Sequence, residues 1–185
     1  MSLEFPKPLA CGEPTWFSFR RTCFIDLPRD MKSWLFDQSS LTQRLIEASH
    51  QQFKVEVLSQ KWQLPNRSES TRLGLGIREQ ALVREVILYG ANKPWVYARS
   101  IIPRTTLTGK LRALKKLDNR PLGALLFKEP SMWRSPIEIA CFKPGNCVIP
   151  APYNQCAELW GRRSVFFLHN KPLLVSEIFL PEFQP

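Results

Sequence analysis

Two similar stretches of the chain are apolar, β-rich runs broken by turn chemistry. Residues 82–89 form a β-rich run, Gly90-Ala91-Asn92-Lys93-Pro94 supplies turn chemistry, and residues 95–102 form a second run. Residues 164–169, the turn Asn170-Lys171-Pro172 and residues 173–180 repeat that plan near the C-terminus. Residues 53–64 alternate, with Phe53, Val55 and Val57 against Lys54 and Glu56, as a half-buried strand does. Residues 136–142 predict a further strand, and residues 65–70 a loop.

Helical spacing falls between these strands. Asp30 is placed to cap a short helix carrying Trp34 and Leu35. Ser39 or Ser40 starts a second helix with Leu41, Leu45 and Ile46 on its buried face, ending near His50. Thr105 or Thr106 caps a helix whose Leu107, Leu111, Leu114 and Leu117 share one face, and residues 121–127 give a shorter one. Strands joined as hairpins imply a single antiparallel sheet, and helices between them an α+β fold. Residues 1–29 read as an irregular, Pro-rich arm and residues 143–157 as a loop excursion with three prolines, all within one domain spanning residues 1–185.

Composition narrows the classes. At 185 residues the chain is long enough for one compact domain and short for two. Its 44% hydrophobic and 23% charged residues are ordinary globular usage, which argues against disorder. Lys and Arg outnumber Asp and Glu 26 to 16, and the net charge of +10 favours anionic partners without choosing among them. No apolar run reaches the roughly 20 residues that span a bilayer. Glu4, Pro6, Lys7 and Pro8 interrupt the apolar stretch that a signal peptide needs. Five cysteines without a Cys-x-x-Cys pair fit reduced thiols in a cytoplasmic protein better than a zinc site. There is no nucleophile elbow, Walker loop or dinucleotide fingerprint, so neither a serine triad nor a nucleotide cradle is visible. The basic pairs Arg20-Arg21, Lys115-Lys116 and Arg162-Arg163 are dispersed, and read as solvated surface rather than a nucleic-acid interface.

Two strand positions break the pattern. Period-two alternation places Glu177 on the same face as Leu173, Val175 and Phe179, while Leu174, Ser176, Ile178 and Leu180 line the other. A carboxylate on a strand covered from both sides loses hydration, and its charged form is disfavoured unless something pairs it. Such a group is a candidate general acid; a structural ion pair or a strand-edge Glu reaching water is the alternative. Arg84 shares a face with Leu82, Val86 and Leu88. A guanidinium does not shed its proton, so an inward Arg84 demands an anion. A protein carboxylate is the commoner partner, and a ligand carboxylate held by the bidentate fork is the other option. Glu85 points to the opposite face and reads as solvated or edge-located, and Arg99 reaches either the sheet face or solvent.

The blocks around these positions resemble the chorismate pyruvate-lyase family of the ubiquinone pathway. They are Leu82-Val83-Arg84-Glu85-Val86-Ile87-Leu88, Lys93-Pro94-Trp95, Arg99-Ser100-Ile101-Ile102-Pro103-Arg104-Thr105-Thr106-Leu107-Thr108-Gly109 and Arg120-Pro121-Leu122-Gly123-Ala124-Leu125-Leu126-Phe127. Ile137-Glu138-Ile139, Trp160-Gly161-Arg162-Arg163-Ser164 and the run from Lys171 through Glu177 to Pro181 complete the ordered set. The resemblance implies conversion of chorismate to 4-hydroxybenzoate and pyruvate without metal or cofactor. It also implies one antiparallel sheet with helical flaps over a buried ligand site, and a small-molecule substrate and product in place of nucleic acid or a membrane. Product inhibition and a monomer are further expectations. By motif, Arg84 would bind the ring carboxylate and Glu177 would sit by the ring hydroxyl and the departing ether. The Leu122 amide at a helix start would help hold the carboxylate. Leu41 stands where the family commonly carries Met, and its backbone would also meet the ligand. The loop at 143–157 is longer than the family pattern. The same fold is shared, by resemblance, with effector-sensing UTRA domains, which bind small acids without reacting and are fused to a helix-turn-helix.

Overall fold

The computed structural model describes residues 12–18, 27–154 and 158–185. The elements run β1 (Phe17–Ser18), α1 (Lys32–Leu35), α2 (Leu41–Ala48), β2 (Phe53–Gln63), α3 (Arg67–Leu73), β3 (Ala81–Gly90) and β4 (Lys93–Pro103). A 3-10 helix (Gly109–Lys116), α4 (Leu122–Leu126), β5 (Trp133–Arg134), β6 (Glu138–Phe142), β7 (Leu159–Leu168) and β8 (Lys171–Phe179) follow. The strands form one sheet in the order β1-β6-β7-β8-β4-β3-β2, with β5 paired to β7, and every pairing is antiparallel. This is the α+β architecture that the pattern predicts.

Both central hairpins close through two-residue turns. Ala91-Asn92 and His169-Asn170 all have positive φ, between 48° and 62°, the left-handed geometry that matches the twist of the flanking strands. These turns are tighter than the segments read from sequence, and they fix the register. Arg84 pairs with Ser100 across β3–β4, Ala98 with Glu177 across β4–β8, and Arg162 with Glu177 across β7–β8.

Four local expectations differ from the fold. The arm at residues 1–29 is not wholly irregular, because β1 pairs with β6 through Phe17 and Ser18, while residues 1–11 and 19–26 lie outside the described residues. Residues 65–70 are not simply a loop, because α3 begins at Arg67. The Glu69 carboxylate accepts from the Asn66 amide at 2.8 Å, and Glu13 accepts from the amides of Arg67 and Ser68, so acidic side chains satisfy the helix start. The cap of α1 is Met31 rather than Asp30. The leucine-faced helix after Thr106 is a 3-10 helix that starts at Gly109. Leu111, Leu114 and Leu117 recur every three residues, the spacing that lines one face of a 3-10 turn, and all are buried.

The sheet is covered on both sides. One face packs under α1, α2, the 3-10 helix and α4, in two apolar clusters. The other packs under α3 and the loop after β6, where Ile149 is buried and Val148 and Tyr153 flank it. The described part of the Pro-rich excursion, residues 143–154, therefore packs on the face opposite to Arg84 and Glu177. Within that loop Cys147 is disulfide-bonded, which corrects the expectation of reduced thiols and removes its support for a reducing compartment. Cys141 is a free thiol, and Cys11, Cys23 and Cys156 lie outside the described residues.

Candidate functional site

Between the two apolar clusters of the first face runs a polar seam. The cluster under α1 and α2 takes Val86, Ala98 and Phe179, and the cluster under the 3-10 helix and α4 takes Leu82, Ile102 and Val175. Arg84, Ser100, Ser164, Arg162 and Glu177 lie across the boundary, on the face that the register assigns to all of them. Arg84 and Glu177 are two strands and one two-residue step apart, which puts their Cα atoms about 12 Å from each other. The β4 residues between them are Ala98 and Ser100. Small side chains there leave space above the sheet that larger ones would fill.

Arg84 is 1% exposed. Its Nη2 donates to the carbonyls of Asp118 (2.8 Å) and Arg120 (3.2 Å), while the buried Nε has no hydrogen-bond partner. No carboxylate stands within ion-pair distance of it among the described residues. The expected protein counter-ion is absent, and the guanidinium is held by backbone carbonyls instead. Burial pushes its pKa down, and the charge of exposed Asp118 only partly opposes this.

Glu177 is paired. Arg162, itself 1% exposed, donates from Nε to Glu177 Oε2 at 2.7 Å. The same guanidinium donates from Nη1 to the carbonyls of Trp34 (2.7 Å) and Asp37 (2.9 Å). Arg162 therefore fastens the carboxylate to the segment joining α1 and α2. The reading of Arg162-Arg163 as solvated surface is overturned: β7 begins at Leu159, and alternation buries the two arginines on opposite faces. A two-residue turn at His169-Asn170, counted back along the hairpin, forces Arg162 opposite Glu177; that was the signal to follow.

A third arginine borders the same space. Arg134, on β5, donates from Nε to Ser164 Oγ at 3.0 Å, and its guanidinium lies 4.9 Å from the Phe166 ring. Burial lowers its pKa to about 10; the charge of Glu177 opposes the shift and that of Arg162 adds to it. No ion pair holds Arg134 among the described residues. Neither the pattern nor the family blocks singled it out, because a two-residue strand carries no periodicity.

The roof comes from two short helices. Leu41 is the first residue of α2 after the Ser40 cap, and Leu122 the first of α4 after Pro121, so both amides belong to helix starts. A Cβ on Gly123 would lie 2.7 Å from Thr42 Oγ1, so glycine lets α4 approach α2. Leu41, Gly123, Phe127, Arg134, Arg162 and Glu177 are among the residues lining a cleft of about 20 Å3 between these helices and the sheet. That is room for little more than one water.

On the opposite face the buried arginines, Arg99 and Arg163, each meet a carboxylate. Arg99 donates to Glu69 (2.8 Å) and Glu85 (2.8 Å), and Glu85 also accepts from the Tyr97 hydroxyl at 2.6 Å. Glu85 is thus part of a network, which corrects its reading as a solvated or edge residue, and of its two alternatives Arg99 takes the sheet face. Arg163 and Arg72 share Glu138 at 2.8 and 3.3 Å. A groove of about 760 Å3 is lined there by Glu13, Arg67, Ser68, Arg72, Glu138 and Arg163, where Glu138 pairs with Arg72 and Arg163.

An antiparallel sheet with a roofed, positively charged seam defines a protein that holds a small organic anion. Solved structures agree on the fold. PhnF from Mycobacterium smegmatis aligns with a TM-score of 0.54 at 11% identity, over 80% of this chain and 67% of that one. The C-terminal domain of the histidine utilization repressor from Pseudomonas syringae aligns with a TM-score of 0.51 at 8% identity, over 72% and 94%. The family model described as "Chorismate lyase" matches residues 14–184. A protein of Pseudomonas entomophila named "Probable chorismate pyruvate-lyase 2" is 44% identical over 182 residues, covering 98% of this chain and 94% of that one. The "Chorismate pyruvate-lyase" of Pectobacterium atrosepticum is 38% identical over 156 residues, covering 84% and 80%. The chain belongs to the chorismate lyase family.

Proposed function

We propose that this protein eliminates pyruvate from chorismate to give 4-hydroxybenzoate, with Arg84 anchoring the ring carboxylate and Glu177 at the ring hydroxyl. One observation supports the reading beyond family membership. The seam holds three guanidinium groups, Arg84 and Arg162 buried and Arg134 half-buried, against the carboxylate of Glu177, an excess of two positive charges, and chorismate is a dianion. Buried charge without a partner is costly, so a doubly negative ligand completes the site where a neutral one would not.

The reaction asks for little else. The ether C–O bond breaks, a ring C–H bond gives up its proton, the ring becomes aromatic, and the enolpyruvate takes up a proton to become pyruvate. Orientation by Arg84 and by the amides of Leu41 and Leu122 holds the ring, and the dry seam strengthens each charged contact. Glu177 offers Oε1 to the ring hydroxyl while Arg162 holds Oε2. Only with a proton on Oε1, away from Arg162, can the same side chain act as general acid toward the departing oxygen, and one positioned acid is worth roughly 10²–10⁴-fold. No step calls on a metal or a cofactor. The family likeness, rather than the cysteines, supports a cytoplasmic monomer as the working form.

A cleft with room for one water admits a benzoate only when α2 and α4 part. Release of 4-hydroxybenzoate then limits turnover and the product inhibits. Incubating the protein with chorismate and following 4-hydroxybenzoate by absorbance tests the reading. Steady formation of 4-hydroxybenzoate and pyruvate in equal amounts is expected, after a faster first turnover. Tight binding of 4-hydroxybenzoate with no conversion of chorismate would instead make the protein a sensor of small acids.

A further inference from the structure

We infer that Arg134 is the anchor for the second carboxylate of the substrate, the one carried by the enolpyruvyl side chain. The inference rests on the lyase reading and extends it to a residue that neither the family blocks nor the hairpin pattern singles out. Of the three guanidinium groups on the seam, Arg84 stands at one end, and Arg162 is consumed by Glu177 and by the carbonyls of Trp34 and Asp37. Arg134 remains. Apart from its bond to Ser164, its Nη1 makes only long contacts to the carbonyls of Gln38 (3.3 Å) and Asp37 (3.4 Å). Such lengths lie beyond a well-formed hydrogen bond, and a planar fork is suited to a carboxylate.

Position agrees with chemistry. Ser164 lies in the same row of the sheet as Val175, Ser100 and Arg84, so Arg84 and Arg134, which bonds Ser164, stand toward opposite ends of that row, with Glu177 one two-residue step along β8 from Val175. With the ring carboxylate on Arg84 and the hydroxyl across the ring at Glu177, the enolpyruvyl group hangs from the carbon next to the hydroxyl. Its carboxylate then falls at the Glu177 end, where Arg134 lines the cleft. The unmatched burial that lowers the Arg134 pKa is relieved by an anion at that point. The product has no second carboxylate, so Arg134 grips chorismate and pyruvate but not 4-hydroxybenzoate.

That difference supplies the test. In the full chain, Arg134→Met is expected to lower kcat/KM for chorismate roughly 10–100-fold, the scale of one lost charged contact, chiefly through KM. The dissociation constant of 4-hydroxybenzoate, by calorimetry, should stay within about twofold of wild type. Arg134→Lys, which keeps the charge and loses the fork, should fall between, and it carries the same comparison if the Met variant does not fold. A merely structural role would weaken chorismate and 4-hydroxybenzoate alike. That outcome, or an unchanged kcat/KM in both variants, overturns the inference. A wild-type protein that forms no 4-hydroxybenzoate overturns the lyase reading itself, before Arg134 is touched.

Discussion

The two faces of the sheet bury arginine in opposite ways. On the face under α3, Arg99 is enclosed by Glu69 and Glu85, and the pairing outweighs the burial that would lower its pKa, so the net shift is upward. On the face under α2 and α4, burial wins at Arg84 and Arg134, and both are pushed down. Arg163 lies between these cases: burial lowers its pKa although Glu138, shared with Arg72, opposes. The contrast separates a region whose buried Arg99 is enclosed by carboxylates from one where Arg84 has only backbone carbonyls. On the proposed function the second region is completed by its ligand, the stability given up there serving binding.

Arg99→Met should break the closed face most severely. It leaves buried Glu69 and half-buried Glu85 without their cation, at a cost of about 3–5 kcal/mol, read as a fall in Tm of roughly 10 °C. A variant as stable as wild type would show that the network contributes nothing. Arg84→Met should do the reverse. Removing a buried, unpaired charge leaves Tm unchanged or raised, while 4-hydroxybenzoate binding weakens roughly 100-fold and turnover falls with it. If that variant unfolded like Arg99→Met, the two faces would not differ in kind.

Glu177→Gln sharpens the comparison within the open face. It keeps a hydrogen-bonding group and removes the proton-transfer group. Turnover should drop roughly 100-fold or more with product affinity little changed. Full activity in this variant would leave Glu177 a binding residue only. The smallest effect is expected at the edge of the roof. Burial would raise the Asp37 pKa, but the Ser39 amide and hydroxyl and the Arg44 guanidinium outweigh it and hold the carboxyl below its ordinary 3.8. A depressed carboxyl stabilises the folded state fully above its unfolded pKa and loses that contribution as pH falls through the folded one. A small Tm gap between wild type and Asp37→Asn at pH 6 should therefore close once the pH is well below 3.8. A gap that persists at low pH would assign the effect to something other than ionisation.

Parts of the site were legible because a strand writes its faces into the sequence with period two. Arg84 and Glu177 stood out as charges on apolar faces, and both lie on the seam. Arg162 was hidden inside a basic pair, since a charged doublet looks the same whether it is solvated or split across a sheet. Arg134 was hidden because two paired residues make no pattern. The start of α3 was hidden as well: Asn66 and Glu69 carry the spacing of a capping pair, but the helix they start has little apolar periodicity.

Local chemistry, then, was enough to set the hairpins, the helices near Leu41 and Leu122, and the inward direction of Arg84 and Glu177. Each of these follows from side-chain spacing within about ten residues. The partners of those charges were decided by the tertiary fold, since they depend on which strands lie side by side and on where each turn closes. An arginine's sequence says that it needs an anion. Only the packed sheet shows that Glu69 and Glu85 reach Arg99, that Arg162 takes Glu177, and that Arg84 is left with backbone carbonyls.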